Sequence, residues 1–115
     1  MFIVLLKFSE NKSKASEYMS GHNDWIKQGF ADGIFLLAGS IETGQSTGQS
    51  TGQSTGQSTG QSTGHGGALI AHNVSLKDLQ AKVNTDPFVM QNIVTSEIIE
   101  ISPKKTADQL SFLME

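Results

Sequence analysis

Five consecutive copies of Thr-Gly-Gln-Ser occupy residues 43–62, and this repeat limits what the rest of the chain can fold into. The repeat contains no apolar residue, so it adds nothing to a hydrophobic core. About 95 of the 115 residues are left to build one domain. A domain of that size buries only about two-thirds of the surface of its unfolded chain, and association with a second copy would hide more. We therefore expect a single domain over residues 1–115 that forms a homodimer.

The apolar pattern before the repeat predicts a strand, a helix and a second strand. Residues 2–8 form a continuous apolar and β-branched run, which is typical of a central strand. Apolar residues then recur at three- and four-residue spacing over residues 15–30, which predicts an amphipathic helix. We expect Ser13 to be its N-cap and Gly33 to end it. Residues 34–40 are predicted as the second strand.

After the repeat, the pattern predicts a strand, a short helix, a turn and a final strand. Residues 67–72 are predicted as strand three, and Ser75 as the N-cap of the helix that follows. Asp86 precedes Pro87, a residue favoured at the first position of a helix. Residues 93–101 are predicted as strand four, and residues 103–115 as a tail with a short helix.

The order βαββαβ predicts an α+β fold of the ferredoxin-like type, in which helices cover one face of a four-stranded antiparallel sheet. Strands one, two and four carry apolar residues on both sides. We therefore expect the free faces of two sheets to pack together, which is a second reason to expect a homodimer.

The repeat itself is predicted to be a flexible linker between strands two and three, since a four-residue period without apolar positions gives stacked copies nothing to bury. An ordered, projecting hairpin is the alternative. Removal of residues 43–62 would leave Glu42-Thr63-Gly64-His65-Gly66 as a short hairpin connection, so the core is expected to be complete without the repeat.

Composition excludes several classes of function. The net charge is −3, and Lys104 and Lys105 are the only adjacent basic residues, which argues against nucleic acid and membranes as partners. Cysteine is absent, so disulfides and thiolate chemistry are excluded. No phosphate-binding, dinucleotide or His-Glu-x-x-His motif is present, and we expect no cofactor or metal. The lack of a secretory leader or membrane span predicts a cytoplasmic protein.

Four side chains are candidate site residues, and each has a structural alternative. His22 lies on the apolar stripe of the first helix, where it is either a general base or a core histidine held by a neighbour. Asp86 is either its partner or simply an N-cap, and no local spacing connects it to His22. Ser40 is a substrate contact or a turn residue. Trp25, one turn from His22, is a substrate contact or part of the core.

The chain resembles the YCII-related family over residues 1–101 without the repeat. The resemblance rests on the strand order together with His22, Leu-Leu-Ala-Gly-Ser at residues 36–40, Gly-Gly-Ala-Leu-Ile-Ala at residues 66–71, and Asp86-Pro87-Phe88. It implies a dimeric α+β barrel with a small-molecule pocket in each subunit, and it places the histidine and aspartate of that pocket at His22 and Asp86. Ser40 falls at the rim, where Gly39-Ser40 replaces the usual Gly-Pro.

A histidine paired with a carboxylate suits proton transfer without a nucleophile or cofactor. Our first hypothesis is a lyase- or isomerase-like enzyme with His22 as base or acid, and dehydrochlorination is one chemistry that the resemblance implies, since a chlorohydroquinone dehydrochlorinase resembles this family. The second hypothesis is a small-molecule binding or accessory protein without turnover. The third makes the repeat an interaction or spacer element and the domain its scaffold.

Overall fold

The fold is described from a computed structural model that covers residues 1–42 and 65–114. The predictions made for the repeat fall on residues 43–64 and therefore lie outside the described residues. The regular elements are β1 (Phe2–Phe8), α1 (Ala15–Ala31), β2 (Phe35–Ser40), β3 (Gly66–Ala71), α2 (Leu76–Val83), α3 (Pro87–Met90) and β4 (Val94–Glu100). Two 3-10 segments, Lys12–Lys14 and Asp108–Met114, precede α1 and end the described chain.

The four strands form one antiparallel sheet in the order β2-β3-β1-β4. β1 is central, as its continuous apolar run predicts, and β2 and β4 are the edge strands. The helices pack on one face of this sheet through a single buried cluster, which joins β1 to residues such as Leu79, Val83 and Phe88. The predicted α+β, ferredoxin-like fold is confirmed.

The start of α1 differs from the prediction, and its end agrees with it. Ser13 does not cap the helix, because it lies inside the 3-10 turn and Lys14 occupies the N-cap position without a side-chain bond. The side chains of Ser9 and Asn11 both donate to the carbonyl of Asn92, at 2.6 and 3.1 Å. These bonds fix the loop ahead of α1, and the chain then enters the helix through the tight turn. At the other end, Gly33 has a φ of 76°, the left-handed conformation that ends helices.

The hairpin between β2 and β3 continues by one residue pair beyond both strands. The amide of His65 donates to the carbonyl of Ile41 at 3.1 Å, and the amide of Ile41 donates to the carbonyl of Gly66 at 2.8 Å. Gly66 has a φ of 134°, and a Cβ atom there would lie 1.9 Å from the backbone oxygen of Leu6. The two ends of the inserted segment are therefore held together by backbone hydrogen bonds.

The two faces of the sheet differ in their covering. Alternate residues of β1 are buried under the helices, and the intervening Ile3 and Leu5 are only half-buried. On the same open face, Leu37 is 51 % exposed and Ile99 is 38 % exposed. The open face is thus apolar at Ile3 and Leu5 of β1 and at these two edge positions.

The expectation that strand four is apolar on both sides is met on the open face at Ile99 alone among the residues of β4. The register of β4 against β1 places Thr95 and Glu97 on the open face, with Ile99 as its apolar residue there. The carboxylate of Glu97 lies 3.9 Å from the ammonium of Lys7 across the strands. Val94, Ile98 and Ile99 do not alternate strictly with polar residues in β4. The sequence pattern alone therefore does not show which residues lie on the open face.

None of the helices within residues 1–42 and 65–114 is long and apolar enough to cross a membrane.

Candidate active site

The site lies where α1 crosses the start of α3. Gly21 allows the close approach of these two helices, because a Cβ atom at that position would lie 3.1 Å from Cγ of Pro87. The next residue, His22, faces α3 from the apolar stripe of α1. Gly21 therefore brings the imidazole of the next residue to the segment that follows α2, although glycine in the middle of a helix is unfavourable by about 1 kcal/mol.

The structure brings His22 and Asp86 together. Nδ1 of His22 lies 2.8 Å from Oδ1 of Asp86, within the distance of a strong hydrogen bond. The side chain of Asp86 is 0 % exposed, and that of His22 is 13 % exposed. Because the carboxylate accepts at Nδ1, the neutral imidazole carries its proton on that nitrogen, and Nε2 has a free lone pair.

Asp86 is also the N-cap of α3, so its structural and functional interpretations do not exclude each other. Its Oδ1 accepts from the backbone amide of Phe88 at 3.2 Å, and Pro87 occupies the first helical position. Oδ2 is buried and accepts a hydrogen bond from no described residue. One oxygen of Asp86 thus binds both the helix terminus and the imidazole.

Aromatic rings surround the imidazole. The Phe88 ring stacks on His22 with the centroids 4.0 Å apart and the planes 4° from parallel. Trp25 lies along α1 at 6.2 Å and 22°. Phe8, from the end of β1, packs against Phe88 with centroids 6.4 Å apart. The edge of His22 that carries Nδ1 and one of its faces are therefore occupied by protein.

Trp25 is buried and its polar group is bound within the protein. Its indole N–H lies 3.0 Å from the carbonyl of Lys82 and 3.1 Å from the hydroxyl of Thr85. That hydroxyl in turn donates to the same carbonyl at 2.6 Å. These contacts tie α1 to the end of α2, and they favour the interpretation of Trp25 as a core residue.

Ser40 is not among the groups that contact the His22–Asp86 pair. It is exposed at the end of β2, opposite Gly67. β2 is an edge strand, and β3 separates it from β1. The assignment of Ser40 as a substrate contact therefore stays a prediction that rests on the resemblance.

The other two histidines lie elsewhere. His65 is held by backbone bonds at the base of the inserted segment, and its Nε2 is buried without a partner in the described part of the chain. His72 follows β3, and its ring lies 5.5 Å from that of Phe112 in the C-terminal 3-10 segment. Neither contacts the His22–Asp86 pair.

A cavity of about 360 Å³ opens between α2 and β4. It is lined by Leu76, Gln80, Val83, Asn84, Ser96 and Ile98. Neither His22 nor Asp86 contributes to its wall, so it is distinct from the candidate site. No three histidine, aspartate or glutamate side chains of the described residues are placed to hold a metal ion together.

Sequence reasoning missed Phe88 as a site residue. It was included only as the third residue of the Asp-Pro-Phe step, but its ring has the closest aromatic contact with His22. The available signal was the capping geometry, because an N-cap carboxylate and the residue two positions later share a hydrogen bond. That bond brings the main chain of Phe88 close to the carboxylate, but the direction of its ring follows from packing.

No protein-family model matches the chain, and no curated protein matches it. Among solved structures, the chain is similar to 5-chloro-2-hydroxyhydroquinone dehydrochlorinase from Burkholderia phenoliruptrix AC1100, in a complex with 2,5-dihydroxybenzoquinone. The TM-score is 0.62 at 13 % sequence identity, and the match covers 95 % of this chain and 98 % of that chain. At this identity the likeness shows a shared fold, and the resemblance to the YCII-related family stays a prediction.

Proposed function

We propose that this protein is an acid–base enzyme of the lyase or isomerase type that moves a proton on a small organic molecule. His22 takes the proton at Nε2, and Asp86 holds the ring through Nδ1 in the tautomer that leaves Nε2 free. The observation that carries this proposal is the 2.8 Å contact between an almost buried imidazole and a fully buried carboxylate. Such contacts orient a histidine for proton transfer.

The carboxylate has a second task in this mechanism. When Nε2 accepts a proton, the ring becomes an imidazolium whose positive charge lies beside Asp86, and no other described group accepts from Nδ1. The proton can then be returned to another atom of the substrate, so the pair is regenerated in each cycle. A residue that stores a proton in this way needs neither a nucleophile nor a cofactor.

Loss of hydrogen chloride from a chlorinated, hydroxylated ring is the specific reaction that we propose to test first. The structural neighbour is named for dehydrochlorination and binds a dihydroxybenzoquinone, and it covers nearly the whole of this chain. In such a reaction Nε2 takes a proton from the substrate and later releases it to solvent, and chloride leaves with the electrons of the carbon–chlorine bond. The net change is the loss of HCl, so no oxidant or reductant is required.

The proposed assembly is a homodimer in which the open faces of two sheets pack together. Ile3, Leu5, Leu37 and Ile99 expose an apolar surface that the helices of the same subunit do not cover. Burial of this surface against a second copy would complete the core on that side.

The experiment is an assay of chloride release from chlorinated hydroquinones, with deuterium incorporation from heavy water as a second readout for isomerisation. We expect turnover by the natural protein and a loss of about 10²- to 10⁴-fold in Asp86→Asn, which keeps an N-cap oxygen but removes the charge. Ser75→Ala, which removes the N-cap of α2, is the comparison variant, because Ser75 is not a predicted site residue. Binding of these compounds without chloride release or deuterium incorporation would favour the accessory-protein alternative, and absence of binding would reject chlorinated hydroquinones as ligands and, with them, the dehydrochlorination proposal.

A further inference from the structure

One hydrogen bond does not fix an imidazole completely. The contact between Nδ1 and Oδ1 of Asp86 sets the direction of one ring edge, but the ring can still tilt about the line that joins these two atoms. A tilt moves Nε2, the nitrogen on the far side of the ring. Reacting atoms must be held within a fraction of an ångström for efficient proton transfer, so something else has to limit this motion.

The Phe88 ring occupies the position where it prevents that tilt. It lies parallel to the imidazole within 4° at a centroid distance of 4.0 Å, which leaves no room for another group between the two faces. Trp25, on the same helix as His22, is 6.2 Å away and less parallel. The flat support of the imidazole therefore comes from Phe88.

Phe88 is itself fixed by its surroundings. Phe88 is 3 % exposed, and its ring packs against Phe8. Its backbone N–H donates to Oδ1 of Asp86, the same oxygen that His22 binds. A single residue therefore holds the carboxylate through its main chain and the imidazole through its side chain.

We infer that Phe88 is a positioning residue, which keeps Nε2 of His22 at a defined place through ring stacking while its amide orients Asp86. This inference rests on the proposed function for its catalytic consequence, but its structural content does not depend on turnover. The Asp86-Pro87-Phe88 segment then acts as one unit that holds the imidazole by an edge and by a face.

The test separates this role from simple core packing. Phe88→Leu keeps an apolar side chain and the backbone amide but removes the flat ring, whereas Phe88→Tyr keeps the ring. Phe2→Leu is the matched control, because Phe2 is 5 % exposed in β1 and is not a stacking partner of His22. The readouts are crystal structures of the variants, which report the tilt of the His22 ring and the position of its Nε2, and kcat and KM on any substrate found in the chloride assay.

We expect the natural protein, Phe88→Tyr and Phe2→Leu to show one orientation of the His22 ring, and Phe88→Leu to show a tilted or multiply oriented ring that keeps the contact between Nδ1 and Asp86. We also expect Phe88→Leu to lower kcat by about 10- to 100-fold with little change in KM. A His22 ring in folded Phe88→Leu with the same single orientation as in the natural protein would overturn the inference, as would a fall in kcat no larger than that of Phe2→Leu. If no substrate is turned over, the proposed function fails while the orientation of the His22 ring in the crystal structures still decides the role of Phe88.

Discussion

Nδ1 of His22 and Oδ1 of Asp86 lie 2.8 Å apart, although 64 positions separate them in the sequence. The contact requires α1 and α3 to meet at one end of the sheet, where Gly21 approaches Pro87. The carboxylate that begins α3 is therefore bound from two directions. Asp86 is therefore expected to contribute to the free energy of unfolding as well as to the proposed chemistry.

Asp86→Ala should destabilise the fold by about 2 to 4 kcal/mol. The change removes an N-cap, worth about 1 kcal/mol, and leaves the Nδ1–H of His22 without its acceptor in a nearly buried position, which costs about 1 to 3 kcal/mol. Ser75→Ala is the control, since Ser75 caps α2 by accepting from the amide of Asp78 and has only this one task. Urea denaturation should show a clearly larger loss in the free energy of unfolding for Asp86→Ala than for Ser75→Ala. Equal losses in the two variants would mean that the contact with His22 adds no stability.

The architecture was accessible from the sequence because its determinants are local and repetitive. Three local patterns predict elements that the structure contains: the apolar run of β1, the three- and four-residue spacing of α1 and the Ser75 cap of α2. The prediction that Ser13 caps α1 is wrong, because a distant residue, Asn92, fixes the preceding loop. Its carbonyl accepts from two side chains, and no spacing near Ser13 indicates that contact.

The site was accessible only in part. His22 and Asp86 were selected from a helix stripe and a family resemblance, but no pattern of spacing relates residues that meet through the crossing of two helices. The role of Phe88 depends on a ring orientation, which is a property of packing in three dimensions. Trp25 shows the same limit, since the burial of its N–H against Lys82 and Thr85 follows from how α1 meets α2.

Gly29→Ala should destabilise the fold by about 1 to 3 kcal/mol, although alanine is normally favoured over glycine in a helix by about 1 kcal/mol. A Cβ atom at Gly29 would lie 2.2 Å from two ring carbons of Phe35, which is itself 3 % exposed. Trp25 and Phe30 pack against that ring and leave it little freedom to move.

Gly21→Ala is the matched control for this prediction, because it makes the same change in the same helix. Its added Cβ atom would meet Cγ of Pro87 at 3.1 Å, a contact that a small shift can relieve. Thermal denaturation should give a lower melting temperature for Gly29→Ala than for Gly21→Ala. The reverse order would show that Phe35 gives way easily and that helix propensity decides the outcome.

Deletion of residues 43–62 should leave the fold intact and raise its stability by about 1 to 2 kcal/mol. Ile41 and His65 are joined by a backbone hydrogen bond, so the shortened connection would consist of Glu42, Thr63 and Gly64. The entropic cost of closing a loop grows only with the logarithm of its length, so the gain in stability from the shorter loop is small. Differential scanning calorimetry of the two proteins measures it. A loss of stability would indicate that the repeat makes contacts with the domain.

Leu37→Glu should convert a dimer into a monomer without unfolding it. Leu37 is 51 % exposed on the open face of an edge strand, so a lone subunit tolerates a charge there at little cost, whereas an apolar interface between two sheets does not. Met90→Glu is the control, because Met90 is 61 % exposed but lies on α3, on the side of the helices. Light scattering after size-exclusion chromatography should give twice the chain mass for the natural protein and Met90→Glu, and the single chain mass for Leu37→Glu. A natural protein with the mass of one chain would reject the dimer, and an unchanged mass for Leu37→Glu would show that the open face is not its interface.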